Sequence, residues 1–247
     1  MDIKSQNLPS GFEDALHSHL STNQSRVSRL VFEGKTFWVK QRERVKGSNR
    51  IFKHSPAKRF KRELQIHMGM IDAGAPVPEI VLAGEEFVVF ADAGPTLQAI
   101  WSNGSKSPEE KTMICFKAGQ ALAELHNTGN YHGRPAARDL CWDGSRIVFL
   151  DFEHHSKRRD NKTGRALDVI CFVHNLASQK APDSQAVKAV VDGYRDSDRS
   201  EVWQEACSIV RRYGWLEILT RPIQARKDPH ALEFKSLPGI IRIFSEP

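Results

Sequence analysis

The segment HGRPAARDLCWDGSRIVFLDFE, residues 132–153, decides how the rest of the chain is read. It opens on a polar loop with His132, Arg134, Arg138 and Asp139, continues as a short apolar run, turns at Asp143-Gly144 and returns through Ile147, Val148, Phe149 and Leu150 to Asp151-Phe152-Glu153. An Asp-Gly pair between two apolar runs predicts a hairpin, because it supplies the positive φ that a tight turn requires. The second strand then ends in a carboxylate, Asp151, beside a loop that carries another, Asp139. Two such carboxylates are suited to a hard divalent cation and to the handling of phosphoryl groups.

Around this hairpin the chain is helical. Pro108-Glu109-Glu110 open a helix in which Ile114, Ala118, Ala121, Leu122 and Leu125 recur at helical spacing, and Thr128-Gly129 close it. Residues 166–178, 184–195 and 201–219 also read as helices. Before the break at Asp92-Ala93-Gly94-Pro95 the pattern changes. A short amphipathic helix is expected over 12–20. SRVSRLVFEGKTFWVKQ, residues 25–41, reads as strand, turn at Glu33-Gly34-Lys35, and strand. A helix is expected from Ser55-Pro56, a favoured start, to Gly74, with Glu63 in its middle. EIVLAG and EEFVVFADA read as a further strand pair. The fold class is therefore α+β, with a β-rich lobe of five strands over 1–92 and a mostly helical lobe over 93–247.

Composition narrows the class of protein. The 247 residues are 40% hydrophobic and 27% charged, which excludes a disordered or fibrous chain. The formal net charge of +6 favours anionic partners. Cys115, Cys141, Cys171 and Cys207 form no CxxC pair, so neither a zinc site nor a disulfide framework is expected, and a reducing compartment suits them. The first twenty residues have no apolar signal core, and nowhere do about 18 apolar residues run together. A cytoplasmic location is expected, with a peripheral position at the inner membrane face also compatible.

The order of these residues resembles the protein-kinase-like superfamily, and within it the bacterial lipopolysaccharide-kinase and small-molecule phosphotransferase branch. The resemblance covers roughly residues 25–195 and implies a two-lobed fold that binds ATP and Mg²⁺. Lys40, ending the strand FWVK, matches the lysine that reaches the nucleotide phosphates, and Glu63 matches its ion-pair partner. Asp151-Phe152-Glu153 matches the D-F-G tripeptide whose aspartate binds Mg²⁺. Asp168 matches the buried aspartate that steadies the catalytic loop, a structural role, while Phe90 to Gly94, with Phe90 and Asp92, match the interlobe linker against which adenine lies. Taken singly, a strand-end lysine is more often solvated and a mid-helix aspartate can simply face water. His126 and His132 lack a second His or Cys at ligand spacing and are expected to be structural.

Two departures bear on activity. Counting from His132, Arg134 stands where the family has its catalytic aspartate and Asp139 where it has a metal-binding asparagine. Arginine keeps its proton and cannot act as a base. Either Arg134 clamps an anionic group while Asp139 and Asp151 hold Mg²⁺, Asp139 doubling as base, or the fold survives as a pseudokinase, a nucleotide-binding scaffold or regulator. No G-x-G-x-x-G precedes Lys40; Asn23-Gln24-Ser25 are expected in the turn between the first strands, offering backbone N–H groups to phosphate.

Residues 42–62 carry nine Lys/Arg and one acid. An anionic acceptor, such as a phosphosugar or a lipid headgroup, fits that charge; a solvated loop without a ligand is the plain alternative. Nucleic acid fits less well, since only Phe52 and Phe60 interleave the run.

Overall fold

A computed structural model describes residues 3–4, 8–43, 56–104, 106–152, 161–179, 183–228 and 231–245. The chain divides into two compact units, Met1–Ala93 and Gly94–Pro247.

In the first unit, β1 (Ile3–Lys4) precedes α1 (Phe12–Thr22), β2 (Val27–Phe32), β3 (Lys35–Gln41), α2 (Pro56–Asp72), β4 (Ile80–Ala83) and β5 (Phe87–Ala91). The strands form one antiparallel sheet in the order β1-β4-β5-β3-β2. The β2–β3 turn has Glu33 and Gly34 both at positive φ, 48° and 74°, which matches the right-handed twist of the hairpin. On β3, Phe37, Val39 and Gln41 are buried and the residues between them are not, the period of two that one covered face imposes. Phe37 and Val39 join Phe12 and Leu16 of α1, Leu30, Val81 and Val89 in one core, and Phe60 of α2 packs with Ile80, Ala83 and Val88 in another. The sequence pattern had marked no strand at residues 3–4; β1 extends the sheet through its pairing with β4. Ser55, the expected cap of α2, lies outside the described residues, as do residues 44–55 of the basic run.

The second unit contains α3 (Leu97–Asn103), α4 (Pro108–Asn127), the hairpin β6 (Leu140–Trp142) and β7 (Ile147–Phe149), then α5 (Asn161–Ala177), α6 (Ser184–Ser197), α7 (Val202–Tyr213), α8 (Leu216–Gln224), α9 (Leu232–Lys235) and α10 (Leu237–Ser245). A capping box starts α4: the Ser107 hydroxyl accepts from Glu110 N–H while the Glu110 carboxylate accepts from Ser107 N–H. α4 crosses α6 with backbones nearly touching. A Cβ on Gly119 would stand 2.1 Å from the Val190 carbonyl oxygen, and one on Gly193 2.1 Å from that of Phe116, so only glycine admits this approach. The helix expected over 201–219 is two helices, α7 and α8, with Gly214 and Trp215 between them. Glycine's backbone freedom weakens a helix there, and an i,i+3 turn, Glu217 N–H to Gly214 C=O, starts the second.

Candidate active site

The first unit supplies a paired cation. Lys40 lies on β3 beside α2, and its ammonium is ion-paired with the Glu63 carboxylate, both side chains 16% exposed. Arg26, which the sequence reading passed over, also reaches Glu63, at 3.6 Å. It does so because Val27 is the β2 partner of Lys40, so the entry to β2 and the lysine lie at the same end of the hairpin. Asn23, Gln24 and Ser25 are there too, but not as a turn between strands: they lead from α1, the helix expected over 12–20, into β2. The segment is held by its own contacts. Ser25 N–H donates to Asn23 Oδ1 at 2.9 Å, and Gln41 Nε2 donates to the Asn23 carbonyl at 2.8 Å. His67, one turn beyond Glu63 on α2, donates from Nε2 to the Pro78 carbonyl at 2.8 Å. Burial lowers its pKa, and the charge of Lys40 adds to the effect. Its ring packs 4.8 Å from that of Phe90. Asp92 is engaged as well, accepting from Trp38 Nε1 at 2.6 Å.

The second unit holds the polar loop, and α5 fastens it. Asp168, 1% exposed, accepts the backbone N–H of His132 at 2.5 Å and of Gly133 at 2.9 Å. Seven residues on, along the same face of α5, Asn175 Oδ1 accepts Ala137 N–H at 2.9 Å. Asp168 also meets His126 Nε2 at 3.4 Å, and His126 Nδ1 meets the Tyr194 hydroxyl at 2.7 Å, so α4, α5 and α6 share one buried polar chain. Burial lowers the His126 pKa against the opposing pull of Asp168. Sequence reasoning missed Asn175 and Tyr194; the spacing of Asn175 from Asp168 was the available signal for the first.

At its far end the loop joins the hairpin, with Leu150 N–H donating to the Asp139 carbonyl at 2.7 Å. His132 Nε2 donates to the Leu150 carbonyl at 2.7 Å and its ring lies 4.8 Å from that of Phe152. This leaves His132 Nδ1 a buried acceptor without a hydrogen-bond partner among the described residues. Asp151, just past β7, has φ 56°, a left-handed conformation that aspartate tolerates better than most residues. Asp139 is brought within electrostatic reach of it. Burial raises the Asp139 pKa and the charge of Asp151 adds to the rise, while His132, Arg138 and a backbone hydrogen bond at Ala136 oppose it. Arg134 is exposed and makes no ion pair among the described residues. Glu153 lies outside the described residues.

Two carboxylates without a third donor fit Mg²⁺, which keeps waters and substrate oxygens in its octahedron. They do not fit zinc, and no group of three or more His, Cys, Asp or Glu side chains able to hold a metal occurs among the described residues. None of the four cysteines is in a disulfide, and burial pushes the Cys115 thiol up to about 12, which makes it inert.

No family model matches the sequence. A probable serine/threonine-protein kinase BUD32 homolog of Archaeoglobus fulgidus is 26% identical over 198 residues, 76% of this chain and 96% of that one. The ADP-bound aminoglycoside phosphotransferase APH(2'')-Ib is similar in structure over 94% of this chain and 97% of its own, with TM-score 0.48 and 13% identity. The ordered motif residues and their local geometry, together with the archaeal relative, mark this chain as a member of the protein-kinase-like superfamily. An uncharacterized protein of Haemophilus influenzae is 30% identical over 199 residues, 81% of this chain and 82% of that one. The chain belongs to one family with it.

Proposed function

We propose that the protein is an ATP- and Mg²⁺-dependent phosphotransferase that moves the γ-phosphoryl group to a hydroxyl of an anionic acceptor. The observation that carries this reading is the placement of Asp139 and Asp151 at the open end of the β6–β7 hairpin, Asp139 just before Leu140 and Asp151 two residues past Phe149, with Leu150 N–H bonded to the Asp139 carbonyl. They would hold Mg²⁺, which when bound neutralises phosphate oxygens and the charge that develops on them. Lys40, oriented by Glu63, would position the nucleotide phosphates. Asp139 would also receive the acceptor proton as the new O–P bond forms and the bond to the departing ADP breaks. Arg134, exposed and without an ion-pair partner among the described residues, would clamp the anionic acceptor or the phosphoryl group. Domain roles follow: the unit up to residue 92 for nucleotide, the unit from 93 for metal and acceptor.

The presence of Arg134 in place of a catalytic aspartate favours a second reading, a pseudokinase that binds nucleotide without turning it over. The test is ADP release with anionic acceptors, alongside melting shifts with ATP in the presence and absence of Mg²⁺. Phosphotransfer predicts a Mg²⁺-dependent shift and turnover that Asp151→Asn abolishes without loss of fold. A shift without turnover on any acceptor selects the pseudokinase, and turnover unchanged in Asp151→Asn refutes the metal assignment.

A further inference from the structure

Among the described residues no helix is long and apolar enough to cross a membrane, but α8 is built inside out. Tyr213, Trp215, Leu216, Ile218 and Leu219 are 52, 56, 40, 57 and 64% exposed, five of the seven residues from 213 to 219. Among the described residues the other large exposed apolar side chains are Val27, Val31 and Trp38 on the paired strands β2 and β3, and Ile71 and Met113, one each on α2 and α4. At 100° per residue, Trp215, Ile218, Leu219 and Pro222 share one face of the helix, and Glu217, Thr220, Arg221 and Gln224 the other.

The polar face is the one that is satisfied. Thr220 Oγ1 donates to the Glu217 carbonyl at 2.8 Å, Gln224 Nε2 donates to Thr220 Oγ1 at 2.9 Å, and Arg221 pairs with Glu217 at 3.4 Å. No residue of α8 is buried, so its apolar face adds nothing to the core. A contiguous apolar face left in water marks an interaction surface.

Charge selects the occupant. Residues 211–228 carry five cations, Arg211, Arg212, Arg221, Arg226 and Lys227, against Glu217 and Asp228. The cations at 211, 212, 226 and 227 are exposed and flank α8 along the chain, two before it and two after it. A second copy of a chain with formal charge +6 would meet this rim with like charge. Aromatic rings at Tyr213 and Trp215, aliphatic side chains and a basic rim are the composition of a helix that lies in the headgroup region of an anionic bilayer.

We propose that α8 and its flanks dock the protein on an anionic lipid surface, with the apolar face among the acyl chain boundary and the basic rim on the headgroups. This goes beyond phosphoryl transfer and does not depend on it, so its test needs no activity. The full chain is mixed with vesicles of phosphatidylglycerol and phosphatidylcholine in equal parts, or of phosphatidylcholine alone, and bound protein is measured by co-sedimentation. Binding is expected on the anionic vesicles only, weakening as salt rises. The double variant Ile218→Glu/Leu219→Glu, both positions exposed, should keep its circular-dichroism melt and lose about tenfold or more of the binding. The blue shift of tryptophan emission on binding should vanish in Trp215→Phe. Equal binding to neutral vesicles, no binding to either, or binding unchanged in the double variant overturns the proposal. So does a dimer in light scattering that the double variant dissolves, which would assign the face to a second copy.

Discussion

Replacing Asp168 by alanine tests whether α5 holds the polar loop. The carboxylate accepts two buried backbone N–H groups, from His132 and Gly133, at 2.5 and 2.9 Å, and is 1% exposed. A hydrogen bond to a charged group contributes about 1.5–3 kcal/mol, and a buried donor left without a partner costs about 1–3 kcal/mol. Part of this is offset because the buried charge, costly to desolvate, is removed with it. The expected net loss is about 3 kcal/mol. In a unit of this size that corresponds to a fall in Tm of roughly 6–12 °C. Asp168→Asn keeps one acceptor oxygen but turns an amide N–H₂ toward the other donor, so it should lose about 2 kcal/mol. The assay is urea unfolding followed by near-ultraviolet circular dichroism, in which the buried Trp142 and Trp203 report on the same unit. A loss below about 1 kcal/mol for the alanine variant would mean that the two N–H groups find other partners, and the account of Asp168 as the anchor of the loop would fail.

Gly119→Ala should be strongly destabilising, by roughly 2–4 kcal/mol in thermal or urea melts, because its Cβ would meet the backbone of α6 rather than a movable side chain. Stability should also fall on the acid side. His67 and His126 have pKa values lowered chiefly by burial, so below about pH 6.5 the unfolded chain binds protons that the folded chain does not. Their contribution is complete above that pH and is lost as the pH falls towards the folded values, by up to about 1.4 kcal/mol per pH unit for each histidine. Asp139, whose pKa is raised, acts in the opposite sense from about pH 3.8 upward. Melts between pH 7.5 and 5.5 check the sign; a Tm that rises on acidification contradicts it.

What the amino-acid order determined by itself is local. Glu33-Gly34 and Asp143-Gly144 each name their own turn, and Pro108-Glu109-Glu110 name a helix start. These depend on dihedral preferences and on donors a few residues away, which a short window contains. Lys40, Glu63, Asp139, Asp151 and Asp168 were picked out in another way, by the resemblance of their order to the protein-kinase-like superfamily, since they span far more chain than a short window contains. Tertiary structure decided the rest. Arg26 reaches Glu63 only because β2 and β3 pair in one register, Asn175 meets Ala137 only because α5 lies along the loop, and Gly119 is required only because α6 crosses there. The apolar side of α8 reads as a core face in sequence, since periodicity shows that a helix has an apolar side but not what covers it. Which neighbour comes to rest on a face is settled by packing between segments far apart in the chain, and here no neighbour among the described residues buries that side.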